Sequence, residues 1–185
     1  MNQLEEVAHD FVELFDELHI PYALMGGFAV RTHAIPRPTY DVDFTIALTR
    51  DRLPELYAAA KARGYVIPEA QETGWIESVK GLSLVKFKWH TTEGKGSFDV
   101  DVFLAENAFH QQMLARRQRH AYGSWEAWFV SPEDLILLKV FADRMKDKVD
   151  VIDVLFTQGQ LDLNYMRKWA KWLNISERLE HALNQ

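Results

Sequence analysis

Cysteine is absent from the 185 residues. Disulfides, thiolate nucleophiles and thiolate zinc sites are therefore excluded, and the composition suits a reducing compartment. No stretch approaches the ~18 consecutive apolar residues of a membrane-spanning helix. The first twenty residues lack both a basic start and a continuous apolar run, so they do not read as a secretory signal. The expectation is a cytoplasmic protein with no membrane partner. Net basic charge is lacking as well: the formal charge is −6, whereas a nonspecific nucleic-acid binder is usually basic. The seven histidines are scattered without zinc-ligand spacing. There is no phosphate-binding P-loop, no Gly-x-Ser-x-Gly and no dinucleotide fingerprint.

Apolar residues make up 48% of the chain, enough for a well-filled core in one domain. The acidic excess is uneven. Residues 106–185 carry 11 basic and 11 acidic side chains, so the whole excess falls in residues 1–105.

Apolar positions recur at helical spacing from Leu4 to Leu18, which predicts an amphipathic helix over 3–19. Residues 22–25 read as a short strand, Gly26-Gly27 as a tight turn, and 28–33 as a helix. A strand is expected over 41–48. A helix capped by Asp51 should then run to about Arg63 and stop at Gly64. Residues 65–81 give no clear signal. Residues 82–90 and 97–104 read as a β-hairpin around a glycine-containing loop at 91–96. A helix is expected over 107–119, and an edge strand over 125–130. Ser131-Pro132-Glu133-Asp134 is a strong helix start, with a capping hydroxyl, proline at the first helical position and acids in the first turn. That helix should run to about Met145, with more at 147–157, 162–173 and 176–183. Strands mixed with helices, then helices alone, predict an α+β fold: a sheet domain over 1–130 and a helical region packed on it over 131–185.

Two repeats dominate the acidic half: Asp41-Val42-Asp43 and Asp99-Val100-Asp101. Each lies in an apolar, β-prone run, where carboxylates are costly unless something neutralises them. In a strand, residues i and i+2 share a face, so each repeat pairs two carboxylates side by side. Crowded carboxylates repel, and an oxygen-seeking divalent cation beside a phosphate is the economical remedy. Gly26-Gly27 lets a backbone approach polyphosphate, and the amides of the next helix favour its charge.

Met25-Gly26-Gly27, a thirteen-residue spacer and Asp41-Val42-Asp43-Phe44 resemble the signature of the DNA polymerase β-like nucleotidyltransferase superfamily. With Arg37-Pro38-Thr39 before the acids, the stretch is similar to small bacterial nucleotidyltransferases of the abortive-infection and toxin–antitoxin kind. Val130 to Lys139 and Arg144 to Asp147 resemble the helix that follows their catalytic sheet. The resemblance covers roughly residues 20–155 and implies a minimal nucleotidyltransferase fold, a mixed twisted sheet flanked by helices with a C-terminal helical extension. It implies transfer of a nucleoside monophosphate from an NTP to an acceptor hydroxyl of RNA, protein or a small molecule such as an antibiotic. It also implies two Mg²⁺ ions, or Mn²⁺ in their place, and a cognate partner protein in a toxin–antitoxin setting. By the same resemblance Asp41, Asp43 and Asp101 are the catalytic and metal-binding acids, with Asp99 in reserve for the third position. Gly26, Gly27, Arg37, Thr39, Lys139 and Arg144 would contact the nucleotide.

Other readings stand beside this one. A nucleotidyltransferase-like domain without turnover would bind nucleotide or a partner and nothing more. Lys139, Asp143, Lys146, Asp147 and Asp150 fall near one helical stripe, which reads equally as a solvated ion-paired face. Arg31 and His33 are weaker candidates. Arg116-Arg117-Gln118-Arg119-His120 and Arg167 to Trp172 are basic stretches that guide RNA in one reading and are a wetted helix face over core tryptophans in the other.

Overall fold

The computed structural model describes residues 2–91 and 96–184. Helix α1 (Gln3–Glu17) opens with a capping box between Asn2 and Glu5 and buries Leu4, Val7, Phe11, Leu14 and Phe15. Then follow strand β1 (Tyr22–Leu24), helix α2 (Gly26–His33) and strand β2 (Asp41–Ile46). A single 3₁₀ turn at Arg50–Arg52 leads into α3 (Leu53–Ala62), which has proline in its first turn. Asp51 lies inside that 3₁₀ turn and caps nothing, contrary to expectation. Gly64 does take a left-handed φ of +89° just after α3. The silent stretch contains one short turn of helix, α4 (Glu69–Glu72), and strand β3 (Glu77–Val79).

Strands β4 (Leu82–His90) and β5 (Ser97–Leu104) form the expected hairpin. Of its loop, residues 92–95 lie outside the described residues. Helix α5 (Ala108–Arg116) is capped by Asn107 and stops earlier than expected. Gln118–Tyr122 is instead strand β6, because its backbone pairs along β7 (Trp125–Phe129). Polar residues there mislead a periodicity argument, since β6 is the sheet's margin and has little to bury.

The sheet order is β3-β4-β5-β2-β1-β7-β6. So β7, expected at an edge, is interior. The two central pairings that matter for the site are β1 with β2, antiparallel, and β2 with β5, parallel. Helix α6 (Pro132–Ala142) starts at Ser131 as the sequence predicts. It ends three residues early, because Asp143 adopts a left-handed φ of +57°. Helices α7 (Met145–Thr157), α8 (Leu163–Trp172) and α9 (Ser176–Leu183) complete the chain.

One cluster of buried apolar side chains runs from Leu4 through the sheet to Leu179, so α6–α9 share the core of the sheet. Among the described residues no helix is long and apolar enough to cross a membrane.

Candidate active site

The site begins with register. Parallel pairing sets Asp41 opposite Asp99 and Asp43 opposite Asp101. Alternation puts all four side chains on one face, while Val42, Val100 and Val102 between them are fully buried on the other. A strand pairing that lies far apart in sequence thereby gathers both acidic repeats into one patch.

The glycine pair is fixed against this patch. The Met25 amide donates to the Asp43 carbonyl at 2.9 Å, extending the β1–β2 ladder by one step. Gly26 then turns into α2 with a φ of +58°. A Cβ there would collide with the Asp43 carboxylate, and a Cβ on Gly27 with the Thr39 side chain. Glycine is thus required at both positions by the site's own side chains. The first turn of α2 has no side-chain cap, which leaves its amides without a side-chain partner, and Gly26 and Gly27 border the cleft described below. Thr39 Oγ1 donates to Asp41 Oδ1 at 3.0 Å.

Burial, then repulsion from Asp41 and Asp101, pushes the Asp43 carboxyl up to about 7, against the pull of Lys139 and Arg144. Burial also pushes Asp101 up to about 6, opposed by Lys86 and assisted by Asp41, Asp99 and Glu77. Asp99 is exposed and pairs with Lys88 at 3.3 Å. Of the second repeat, Asp101 is therefore the member turned into the cleft; it lines it and Asp99 does not.

Facing the acids is an ion network. Asp147 and Asp150 on α7 are both fully buried. Asp150 accepts two bonds from Arg37, at 2.5 and 2.8 Å, and pairs with Lys139 at 2.7 Å. Asp147 accepts from Lys139 at 3.1 Å and from Arg144 at 2.6 and 3.1 Å. Burial raises both carboxyls, but Arg144 and Lys139 outweigh it at Asp147, and Arg37 and Lys139 at Asp150, so both titrate below the usual range. Three cations against two anions leave the network at +1, beside the carboxylates of β2 and β5.

The cleft between these walls has a volume of about 350 Å³. Gly26, Gly27, Arg37, Asp41, Asp43, Asp101, Lys139 and Arg144 all line it. Thr39 stands behind Gly27. The other half of the lining is apolar, with Val79, Leu82, Leu84 and Phe103 from the sheet and Leu135, Leu138 and Phe141 from α6. Across its mouth Lys80 Nζ donates to the carbonyls of Phe141 and Ala142, both at 2.9 Å, capping the C-terminal end of α6.

Asp147 and Asp150, two members of the helical stripe around Lys139, are buried partners of that lysine rather than part of a solvated ion-paired face. Their three-residue spacing sets both on the same side of α7. His33 is buried, with Nε2 2.8 Å from the Val130 carbonyl oxygen, and ties α2 to the end of β7. Arg31 reaches Glu5 at 3.5 Å. The basic stretches are taken up by local contacts. Arg116 packs over the Tyr165 ring and pairs with Glu133, Arg117 packs over Trp128, and Arg119 pairs with Glu126. Arg167 pairs with Glu180, and Trp169 is buried while Trp172 is not.

Among the described residues, no group of three or more His, Cys, Asp or Glu side chains is gathered closely enough to hold a metal ion as it stands. The donor chemistry nevertheless fits a divalent cation: three carboxylates in adjacent register, two of them with their ionised forms disfavoured by burial and by the neighbouring carboxylates. Asp41 and Asp101 are only half-buried, so rotamer changes are open to both.

A mixed sheet that holds an acidic patch against a glycine-opened helix defines a recognisable class of α+β protein. No family model matches the sequence, and no curated protein matches it. Among solved structures, the antigenic nucleotidyltransferase-like protein from Paracoccidioides brasiliensis superposes with a TM-score of 0.58 at 19% identity, covering 98% of this chain and 92% of that one. The antibiotic-resistance factor ANT(2'')-Ia gives 0.58 at 18% identity, over 97% and 96%. The lincomycin-bound lincosamide antibiotic adenylyltransferase LnuA gives 0.55 at 16%, over 85% and 100%. The likeness is one of fold: this chain has the nucleotidyltransferase fold.

Proposed function

We propose that the protein is a metal-dependent nucleotidyltransferase that moves a nucleoside monophosphate from an NTP to an acceptor hydroxyl. The observation that carries this reading is the register of β2 and β5, which sets Asp101 beside Asp43 and next to the Gly26-Gly27 helix start. Asp41, Asp43 and Asp101 would hold Mg²⁺ or Mn²⁺, which when bound supplies Lewis acidity at the phosphate and the acceptor oxygen. The uncapped amides at the start of α2 receive phosphate oxygens. The +1 network of Arg37, Lys139 and Arg144 with Asp147 and Asp150 offsets the remaining triphosphate charge, Arg144 being its most exposed member. The apolar half of the cleft excludes water from the reacting centre. The acceptor oxygen attacks the α-phosphorus, its proton passes to Asp101, and the bond to pyrophosphate breaks.

A small-molecule hydroxyl is the acceptor class most in keeping with the site. Its neighbours in fold include an adenylyltransferase with lincomycin bound, and the basic stretches that would serve RNA are held in ion pairs and on rings. The test is incubation of the protein, Mg²⁺ and a cell extract with each α-phosphate-labelled NTP. Label in small molecules is the expected outcome, label in RNA or protein redirects the acceptor, and no transfer with any NTP overturns the reading. Because the acids are not gathered into a ligand cage as they stand, a binding-only domain is the second reading. It would show Mg²⁺-dependent NTP binding without pyrophosphate release.

A further inference from the structure

Helix α7 has two opposite apolar and charged faces with different fates. Asp147, Asp150, Val151 and Val154 point inward and are buried. On the far side Met145, Val149, Ile152 and Phe156 are exposed by 78, 56, 46 and 84%. At 3.6 residues per turn these four fall within about 60° of arc, one continuous stripe. A solvated helix face carries apolar residues singly; four in line, on the order of 400 Å² together, approach the largest patch a typical monomer exposes.

The stripe is palindromic. Its spacings are four, three and four, with large flexible side chains at both ends and β-branched ones in the middle. A twofold axis through its centre would therefore lay Met145 against Phe156 of the partner subunit, and Val149 against Ile152 of the partner subunit, in both directions at once. A thioether against an aromatic ring is itself a favourable contact. The flanking charges obey the same symmetry. Lys146 and Asp153 are seven residues apart, nearly two full turns, and so share one flank of the stripe. In an antiparallel pair each flank meets its own copy, which brings Lys146 of one chain opposite Asp153 of the other, twice. The ion pairs α7 makes within its own chain run through Asp147, Lys148 and Asp150. Among the described residues neither Lys146 nor Asp153 has an ion-pair partner.

We propose that the exposed face of α7 is a self-association surface, on which a second copy of this chain packs its own α7 antiparallel about a twofold axis. The stripe alone supplies less than the ~800 Å² per partner of a standard interface, so the dimer is weak, with dissociation on the order of micromolar. The apolar stripe lies on the face of α7 opposite Asp147 and Asp150, while Lys146 on its flank also borders the cleft; the surface's existence does not depend on the reaction proposed there.

Sedimentation equilibrium of the intact chain between about 1 and 200 µM should show conversion from the 21.5 kDa monomer to twice that mass. A chain that stays monomeric throughout overturns the proposal. Phe156→Asp, at a residue too exposed to matter for folding, should abolish the dimer with an unchanged circular dichroism spectrum; a dimer that survives it uses another face. Asp153→Lys should weaken association at least about tenfold, and Lys146→Asp combined with Asp153→Lys should restore it. Orientation is read separately, because the chain has no cysteine of its own. Under oxidation, Met145→Cys mixed with Phe156→Cys should give the mixed disulfide, and Met145→Cys alone little. Efficient self-linkage of Met145→Cys would refute the antiparallel arrangement.

Discussion

Asp150→Asn isolates the ion network behind the cleft without changing side-chain volume. Asp150 is fully buried and accepts two bonds from Arg37 and one contact from Lys139, itself only 5% exposed. The amide removes the charge, leaves Lys139 with Asp147 alone and Arg37 with no anion. Removing one partner of a buried ion pair costs about 3–5 kcal/mol. Here Lys139 keeps Asp147 and Arg37 can swing to water, so the lower end applies, about 3 kcal/mol. For a chain of this length each kcal/mol lowers the unfolding midpoint by about 2–4 °C, which gives a fall of about 9 °C. Thermal unfolding followed by circular dichroism reads it. The pH dependence has a definite sign. Asp150 is held below its usual range in the folded state. Its contribution is therefore complete above the unfolded carboxylate pKa of about 4 and is lost as pH falls through the lower folded value. The gap between wild type and Asp150→Asn should be constant from about pH 5 to 8 and close only below about pH 4. A midpoint within about 2 °C of wild type at pH 7 would refute the network as a structural element.

His110 is fully buried, 3.2 Å from Thr45 Oγ1 through Nδ1, and burial pushes its imidazole down to about 4. The folded state then refuses a proton that the unfolded chain accepts below about 6.5, so stability falls by about 3 kcal/mol between pH 6.5 and 4. Denaturant titrations across that range should show this loss in wild type and not in His110→Gln. Gly26→Ala meets both a left-handed φ and the Asp43 carboxylate, so it should cost about 1–2 kcal/mol in stability and at least tenfold in Mg²⁺-dependent NTP affinity by calorimetry; unchanged affinity would show that Asp43 need not stay where Gly26 lets it lie. Lys80→Ala removes the cation that caps α6 across the cleft mouth. Stability should change by no more than about 1 kcal/mol, while amide exchange in β3 and the start of β4 quickens; unaltered exchange would mean that Lys80 does not restrain the hairpin.

The residues of the candidate site come together largely as the sequence suggested, because they follow short-range rules. Alternation marked Asp41 with Asp43 and Asp99 with Asp101, and Gly-Gly before a helix marked the turn. What periodicity does not carry is pairing across the chain. Asp99 and Asp101 separate only once β2 and β5 lie parallel and Lys88 takes Asp99 outward. The stripe around Lys139, Asp147 and Asp150 was visible, but the left-handed residue Asp143 breaks it into two helices that fold together. Only that fold turns a solvated-looking charge pattern into a buried network. The strand at Gln118–Tyr122 was missed for the opposite reason: a marginal strand has no buried face to announce it.

The central claim is that Asp41 and Asp43 carry phosphoryl transfer. The direct measurement is label transfer from the preferred α-labelled NTP by Asp41→Asn/Asp43→Asn against wild type, with both shown folded by thermal unfolding in chelator. Relief of carboxylate repulsion should leave the double variant at or above the wild-type midpoint. Its transfer rate should fall by at least about a thousandfold. A double variant that is folded and transfers label at the wild-type rate would contradict the account.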